Sequence, residues 1–332
     1  MTDQDTEQTL TVLFVHGRGF KPAAETLSSL SFDALRAGVS RDYPLKLAEL
    51  EKARLEFAYY GDLTDGILRD RGQHYDETVD VADRKKALDA LKKIPARKRF
   101  GIRQYDRLPG KSAIPEFIAD MTMPLFALVG LTLPVVSKVA PDFAHYLKAT
   151  DDRAAQIRER VRARIADALK RGDRLMLVTH GMGAAVAWDA LWELSHDEQL
   201  NEGVSDVKID TWVTLGAPLG DSGILRRLKG GKEKGLRRFP TNVMRWVNLS
   251  AEDDYACHDQ TLADDFKAMI RERILGSIED FTIYNLALRF GRSNPHSSIG
   301  YYIHPRLVKI IADWLPEVEA PDDTPTEPPG TP

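Results

Sequence analysis

The chain has 332 residues, 43% of them hydrophobic, and a formal net charge of -4, so it is long enough to bury a large core and has no overall positive field to attract nucleic acid, which is not expected as a partner. Its one cysteine, Cys257, excludes an internal disulfide and suits a reducing, cytoplasmic setting. The polar start MTDQDTEQ has neither a basic n-region nor an apolar h-region, so residues 1–9 read as a disordered N-terminus and not as a secretion signal.

Leu10–Val15 (LTVLFV) is a short continuous apolar run, the pattern of a strand buried on both faces of a parallel sheet. It runs straight into His16-Gly17-Arg18-Gly19. A helix is expected around 27–39 and a second strand at 53–60. From about 63 to 149 the alternation breaks: a basic stretch from Arg84 to Arg99 precedes an apolar one at 114–139. This reads as a helical, lid-like insertion over a site, with possible contact of its basic run to anionic lipid at a membrane periphery. The plainer alternative is a solvated helix followed by a core helix. Pro124, Pro134 and Asp120 interrupt the apolar stretch and speak against a membrane span.

After the insertion, Ile157, Val161, Ile165 and Leu169 lie four apart in a charged background, one apolar stripe of an amphipathic helix that stops at Gly172. A strand at 174–178, a helix at 183–194, strands at 207–215, 244–249 and 281–288, and a last amphipathic helix at 305–315 keep the alternation going. This implies an α/β fold with a mainly parallel central sheet flanked by helices. Residues 10–316 form one domain in this reading, and the proline- and acid-rich 317–332 a disordered tail.

Residues 175–189 (LMLVTHGMGAAVAWD) have the form strand, tight turn of small residues, helix, the context that a nucleophile elbow needs. The turn resembles the G-x-S-x-G motif of α/β-hydrolases, in the variant where His precedes the serine and Met-Gly follows it. Thr179 then stands at the first glycine, His180 at x, Gly181 at the nucleophile and Gly183 at the last glycine. Such an elbow holds its nucleophile at positive φ, which glycine tolerates best, so a glycine keeps the turn and removes the chemistry. Taken alone, the pentapeptide also fits an ordinary glycine-rich turn of another α/β fold.

Three more segments are similar to the same family in chain order. His16-Gly17-Arg18-Gly19 resembles its HG-type oxyanion loop. Residues 246–254 (WVNLSAEDD) resemble the segment holding the triad acid, with Asp254 the first choice and Asp253 its competitor. Residues 294–298 (NPHSS) lie where the family keeps its general base, which makes His296 the candidate; His304, directly before Pro305, reads as structural. The likeness spans roughly 10–315 and is nearest to serine esterase- and lipase-like members, with Asp142–Leu147 before the elbow helix and TLGAPLG after it.

The resemblance implies an α/β-hydrolase fold, a Ser-Asp-His type triad at Gly181, Asp254 and His296, and oxyanion or binding roles for His16, Gly17, Arg18, Gly19, His180 and Met182. It implies a small-molecule or lipid-like ester as substrate and no metal or organic cofactor. Glycine has no side chain to attack with, so no acyl-enzyme forms at 181. Four readings stay open: an inactivated mutant of a carboxylic ester hydrolase, a natural pseudoenzyme, a non-catalytic binding protein on the same fold, or a His296–Asp254 pair that activates water directly. Cys257, next to His258 and Asp259, has no second ligand cluster and reads as a buried structural thiol. The basic turn at 226–238 reads as an exposed loop near the substrate mouth, and Gly110-Lys111-Ser112 lacks the first glycine and preceding strand of a phosphate-binding loop.

Overall fold

The computed structural model describes residues 8–110, 133–149, 151–257 and 260–318. Of the segments singled out above, residues 1–7, Lys111 with Ser112, the apolar 114–132, His258 with Asp259, and 319–332 of the tail lie outside these residues.

Six parallel strands, β1 (Leu10–Val15), β2 (Arg54–Ala58), β3 (Arg174–His180), β4 (Ile209–Leu215), β5 (Val243–Ala251) and β6 (Ser277–Ile283), form one sheet in the order β2-β1-β3-β4-β5-β6. Their ends are in step: Val15 pairs with Thr179, His180 with Leu215, and Leu215 with Leu249. The helices α1 (Ala24–Asp42), α2 (Gly61–Arg69), α3 (Glu77–Lys92), α4 (Leu133–Val139), α5 (Pro141–Lys148), α6 (Asp152–Lys170), α7 (Met182–His196), α8 (Ser298–Tyr302) and α9 (Pro305–Trp314) flank it.

Because strand side chains alternate, β1 feeds two cores at once. Val12 and Phe14 pack with α1, α8 and α9, while Leu13 and Val15 pack with α6 and α7. On the α7 side the cross-strand pair Trp212 and Trp246 stacks with ring centroids 4.6 Å apart, against Trp188 of α7. Both indole N–H groups are satisfied inside the sheet, Trp212 by the Thr179 hydroxyl and Trp246 by that of Thr214, each at 3.0 Å, as buried tryptophans require.

The expected strand at 281–288 is displaced. The sixth strand is Ser277–Ile283, and Leu288–Arg289 (β7) instead pairs antiparallel with Arg292–Ser293 (β8). The reason is that β6 is an edge strand with half-buried, charged positions. Glu279 pairs with Arg245 at 2.8 Å, and Asp280 accepts from the Asn248 side chain and from two backbone N–H groups at 262 and 263, so the apolar signature of an inner strand is missing.

Within the insertion, α3 starts at an Asp76 cap whose carboxylate accepts from Val79 N–H at 3.0 Å. The basic stretch is not uniformly outward: Arg84 is buried and ion-paired with Asp80 at 2.7 Å, and Asp80 also binds Arg289. Among the described residues no helix is long and apolar enough to cross a membrane.

Candidate active site

The strand order dictates where a site forms. From β1 the chain first adds β2 on one side and then β3 to β6 on the other, so the loops leaving the C-terminal ends of β1 and β3 diverge and open a crevice between them. β1 delivers His16–Gly19 to that crevice, β3 delivers His180 and Gly181, and the loops after β4 and β5 bring Gly216 and Asp254.

Gly181 sits between β3 and α7 at φ 53° and ψ -123°, a left-handed conformation that strains a side chain-bearing residue. Its N–H donates to Leu215 O and its carbonyl accepts from Ala184 N–H, at 2.9 and 3.0 Å. The turn is pressed in by the close approach of α7 to β1. A Cβ on Gly183 would lie 2.9 Å from Val15 O and closer still to His16 O, so this position has no room for a larger residue.

Opposite Gly181, His296 Nδ1 lies 2.9 and 3.0 Å from the two carboxylate oxygens of Asp254. Asp254 is buried, and the Tyr301 hydroxyl donates to its Oδ2 at 2.7 Å while accepting from Ala251 N–H at 2.8 Å. Burial works against the carboxylate, but the charge and N–H of His296 and the Tyr301 hydroxyl outweigh it and hold the Asp254 pKa below its ordinary value. A carboxylate only accepts, so a single proton on the His296 ring sits on Nδ1 and leaves Nε2 with a lone pair. That Nε2 faces Gly181: a Cβ built there would be 2.9 Å from it. Asp253 is turned elsewhere, at φ 59°, and accepts from the Tyr105 hydroxyl at 3.0 Å.

The His296 loop is held from behind by Asn285, a buried side chain whose amide donates to Pro295 O and Ser297 O at 2.8 and 2.9 Å. Gly216, at φ 55°, leaves space for the charge pair, since a Cβ there would be 2.6 Å from Asp254 Oδ2.

The loop after β1 forms the far wall. The Gly17 Cα is 3.9 Å from the Cβ position of Gly181, and a Cβ on Gly17 would be 2.7 Å from His180 Nδ1. Arg18 and Gly19 are tied to Asp142 of α5, through Arg18 Nε at 3.1 Å and Gly19 N–H at 2.6 Å. The Lys21 ammonium bonds the carbonyls of Arg18, Gly19 and Phe20.

His16 itself faces away from the crevice. It is buried against Tyr60, donates from Nδ1 to Gly17 O at 2.8 Å and accepts Tyr60 N–H on Nε2 at 3.0 Å. Burial, with help from the Lys21 charge, lowers its pKa to about 3. His180 is also buried and neutral, its pKa lowered by burial and by His296, and it donates from Nε2 to the His296 backbone carbonyl at 3.0 Å.

A cavity of about 240 Å³ opens in front of Gly181 and His296. Val136 and Val139 of α4, Phe143 of α5, Met182 and Pro218 make it apolar, and Arg18 stands at its rim. Cys257 is not part of it: its thiol is buried, donates to Asp254 O at 3.3 Å and has its pKa pushed up by burial. Among the described residues no group of three or more His, Cys, Asp or Glu side chains is arranged to hold a metal ion.

Of the residues singled out in the sequence, Arg18, Gly181, Met182 and His296 line this cavity, Asp254 stands behind His296, the Gly17 Cα lies 3.9 Å from the Cβ position of Gly181, and Gly19, His180 and His16 lie outside the cavity lining. Sequence reasoning gave no role to Tyr301, Asn285, Gly216, Lys21 or Asp142, although Gly216 and Asp142 each lay in a segment already singled out.

Compared with known protein families, with curated proteins and with solved structures, the chain matches none.

Proposed function

We propose that the chain is a carboxylic ester hydrolase of the α/β-hydrolase kind in which Gly181 occupies the place of the serine nucleophile. One observation carries this reading. An Asp254-oriented imidazole directs its free Nε2 at the spot where a side chain on residue 181 would stand, and residue 181 lies on a positive-φ strand-to-helix turn at the switch point of the sheet. Position 181, imidazole and carboxylate follow one another in the order of nucleophile, base and orienting acid, with the hydroxymethyl group missing. The apolar cavity suits the acyl or alcohol part of a small ester, and α4 and α5 cover it as a lid-like wall. In this assignment the backbone N–H groups of Arg18 and Met182 receive the developing oxyanion.

In Gly181→Ser the hydroxyl would give its proton to Nε2 as Oγ attacks the ester carbonyl. The built Cβ is 2.9 Å from Nε2, tighter than a carbon contact allows, so the ring tip must yield by a few tenths of an ångström to admit the serine. The expected outcome is that Gly181→Ser hydrolyses short p-nitrophenyl esters at least about 1,000-fold faster than the protein as it stands, and that adding His296→Ala removes the gain. A folded Gly181→Ser that stays silent defeats this reading. It would favour a non-catalytic ligand-binding protein on the same fold, which the absent side chain at 181 already suits.

A further inference from the structure

We propose that the protein as it stands hydrolyses activated esters slowly by direct attack of water, with His296 as general base and Asp254 orienting it. The proposal rests on the site reading just given and adds an activity that does not need residue 181 to carry a nucleophile.

The side chain missing at 181 leaves His296 Nε2 facing that position and the cavity in front of it. A water oxygen in the cavity, standing clear of the Gly181 Cα, reaches Nε2 at the ordinary hydrogen-bond separation of about 2.9 Å. Nε2 is available to it, because the ring proton is committed to Asp254 through Nδ1. The backbone that carries the ring is held: Asn285 clasps the carbonyls on either side of residue 296, and His180 donates to the carbonyl of His296 itself. An ester seated in the apolar cavity presents its carbonyl carbon next to this oxygen.

The step balances without any co-reactant. Water gives a proton to Nε2 as its oxygen bonds to the ester carbon, and the carbonyl electron pair moves onto the oxygen facing the loop after β1 and the first turn of α7. The tetrahedral intermediate then collapses: the bond to the alkoxy oxygen breaks and the imidazolium Nε2–H protonates the departing alcohol. Ester and water become acid and alcohol, His296 returns to its starting form, and no bond to the protein is made. Buried Asp254 stabilises the transient imidazolium as it would in a full triad.

The test is the rate of p-nitrophenyl acetate hydrolysis by the full chain and by Gly181→Ser, Gly181→Ala, His296→Ala and His296→Gln, each checked for folding by thermal melting and for acylation by intact mass during turnover. The native chain should exceed His296→Ala by about 100-fold, the scale of a positioned general base, with no acyl adduct. Gly181→Ala should fall to the His296→Ala level, because its methyl would crowd Nε2 from 2.9 Å and shut the water off from it. Should Gly181→Ala not fold, His296→Gln carries the test, since it keeps a hydrogen-bonding side chain but no base and must match His296→Ala. A native rate equal to that of His296→Ala overturns the proposal, as does a folded Gly181→Ala that keeps the native rate. An acyl adduct on the native chain also overturns it, because His296 would then be the nucleophile. Gly181→Ser separates the two levels: if it is active and acylated while the native chain is silent, the water mechanism fails and the site reading stands; if it is silent as well, both fail.

Discussion

Gly181 and Gly216 both adopt positive φ, but a side chain would meet different things at each. At Gly181 a Cβ touches the tip of a ring that can move, whereas at Gly216 it would lie 2.6 Å from Asp254 Oδ2 and 3.1 Å from both His296 Nδ1 and the Tyr301 hydroxyl. That is the middle of the network that sets the His296 tautomer. Gly216→Ala is therefore expected to cost at least about 2 kcal/mol in urea unfolding and, in a Gly181→Ser background, to remove most of the gained esterase activity. Gly172→Ala is the control, since Gly172 is at φ 75° with nothing within 4 Å of its Cβ position and should show the backbone penalty alone, about 1 kcal/mol. Equal losses at the two glycines would sink the packing argument. Gly181 and Asp254 were legible in the sequence because each follows an inner strand with a clear apolar signature, and His296 because it stands before the last amphipathic helix. Tyr301 was not, because its contact with Asp254 closes over 47 residues; Gly216 was quoted only within TLGAPLG, and Asn285, which holds carbonyls 10 and 12 residues away, lies in a stretch read as strand.

At the scale of elements, the loop after β1 is shaped less by its own residues than by α5. The Asp142 carboxylate is fully buried and takes both Arg18 Nε and Gly19 N–H, so it sets which way the loop's backbone donors face. Asp142→Ala leaves the half-buried Gly19 N–H without its acceptor and should destabilise the protein by about 1–3 kcal/mol. In Gly181→Ser it should lower kcat more than it raises KM, because donors to an oxyanion act in the transition state. A change in KM alone would assign Asp142 to substrate binding instead. The inner strands were readable because both their faces are buried, and β1 falls at Leu10–Val15 as read. The edge strand β6 escaped for the opposite reason: its polar positions are satisfied laterally, by Arg245 on Glu279 and by Asn248 on Asp280. The tie between α5 and the β1 loop spans 124 residues and belongs to neither segment's own pattern.

For the molecule as a whole, three buried histidines tie stability to pH. Burial lowers His16 and His304 to about 3 and holds His180 below its ordinary value. Below about pH 6.5, the usual histidine value, the unfolded chain takes up protons at these rings while the folded chain does not, so stability falls as pH drops toward about 3, by about 1.4 kcal/mol per pH unit for each ring. Asp254, whose folded pKa is depressed, adds a loss of the same sign as its carboxylate is protonated further down in pH. His304 isolates one share of the slope: it caps α9 by accepting Arg306 N–H at 3.1 Å, and asparagine caps as well without titrating. His304→Asn should flatten the stability profile between pH 6 and 4 by one ring's contribution in urea titrations, and an unchanged slope would mean that His304 is not held neutral. The parallel stack of Trp212 on Trp246 has a consequence for light rather than for energy. Two indoles at that separation absorb as a coupled pair, splitting their ultraviolet transitions into circular dichroism bands of opposite sign. Because the pair bridges β4 and β5, the strands that lead to Gly216 and Asp254, the couplet is an optical signature of the site's framework that can be followed through every substitution named above.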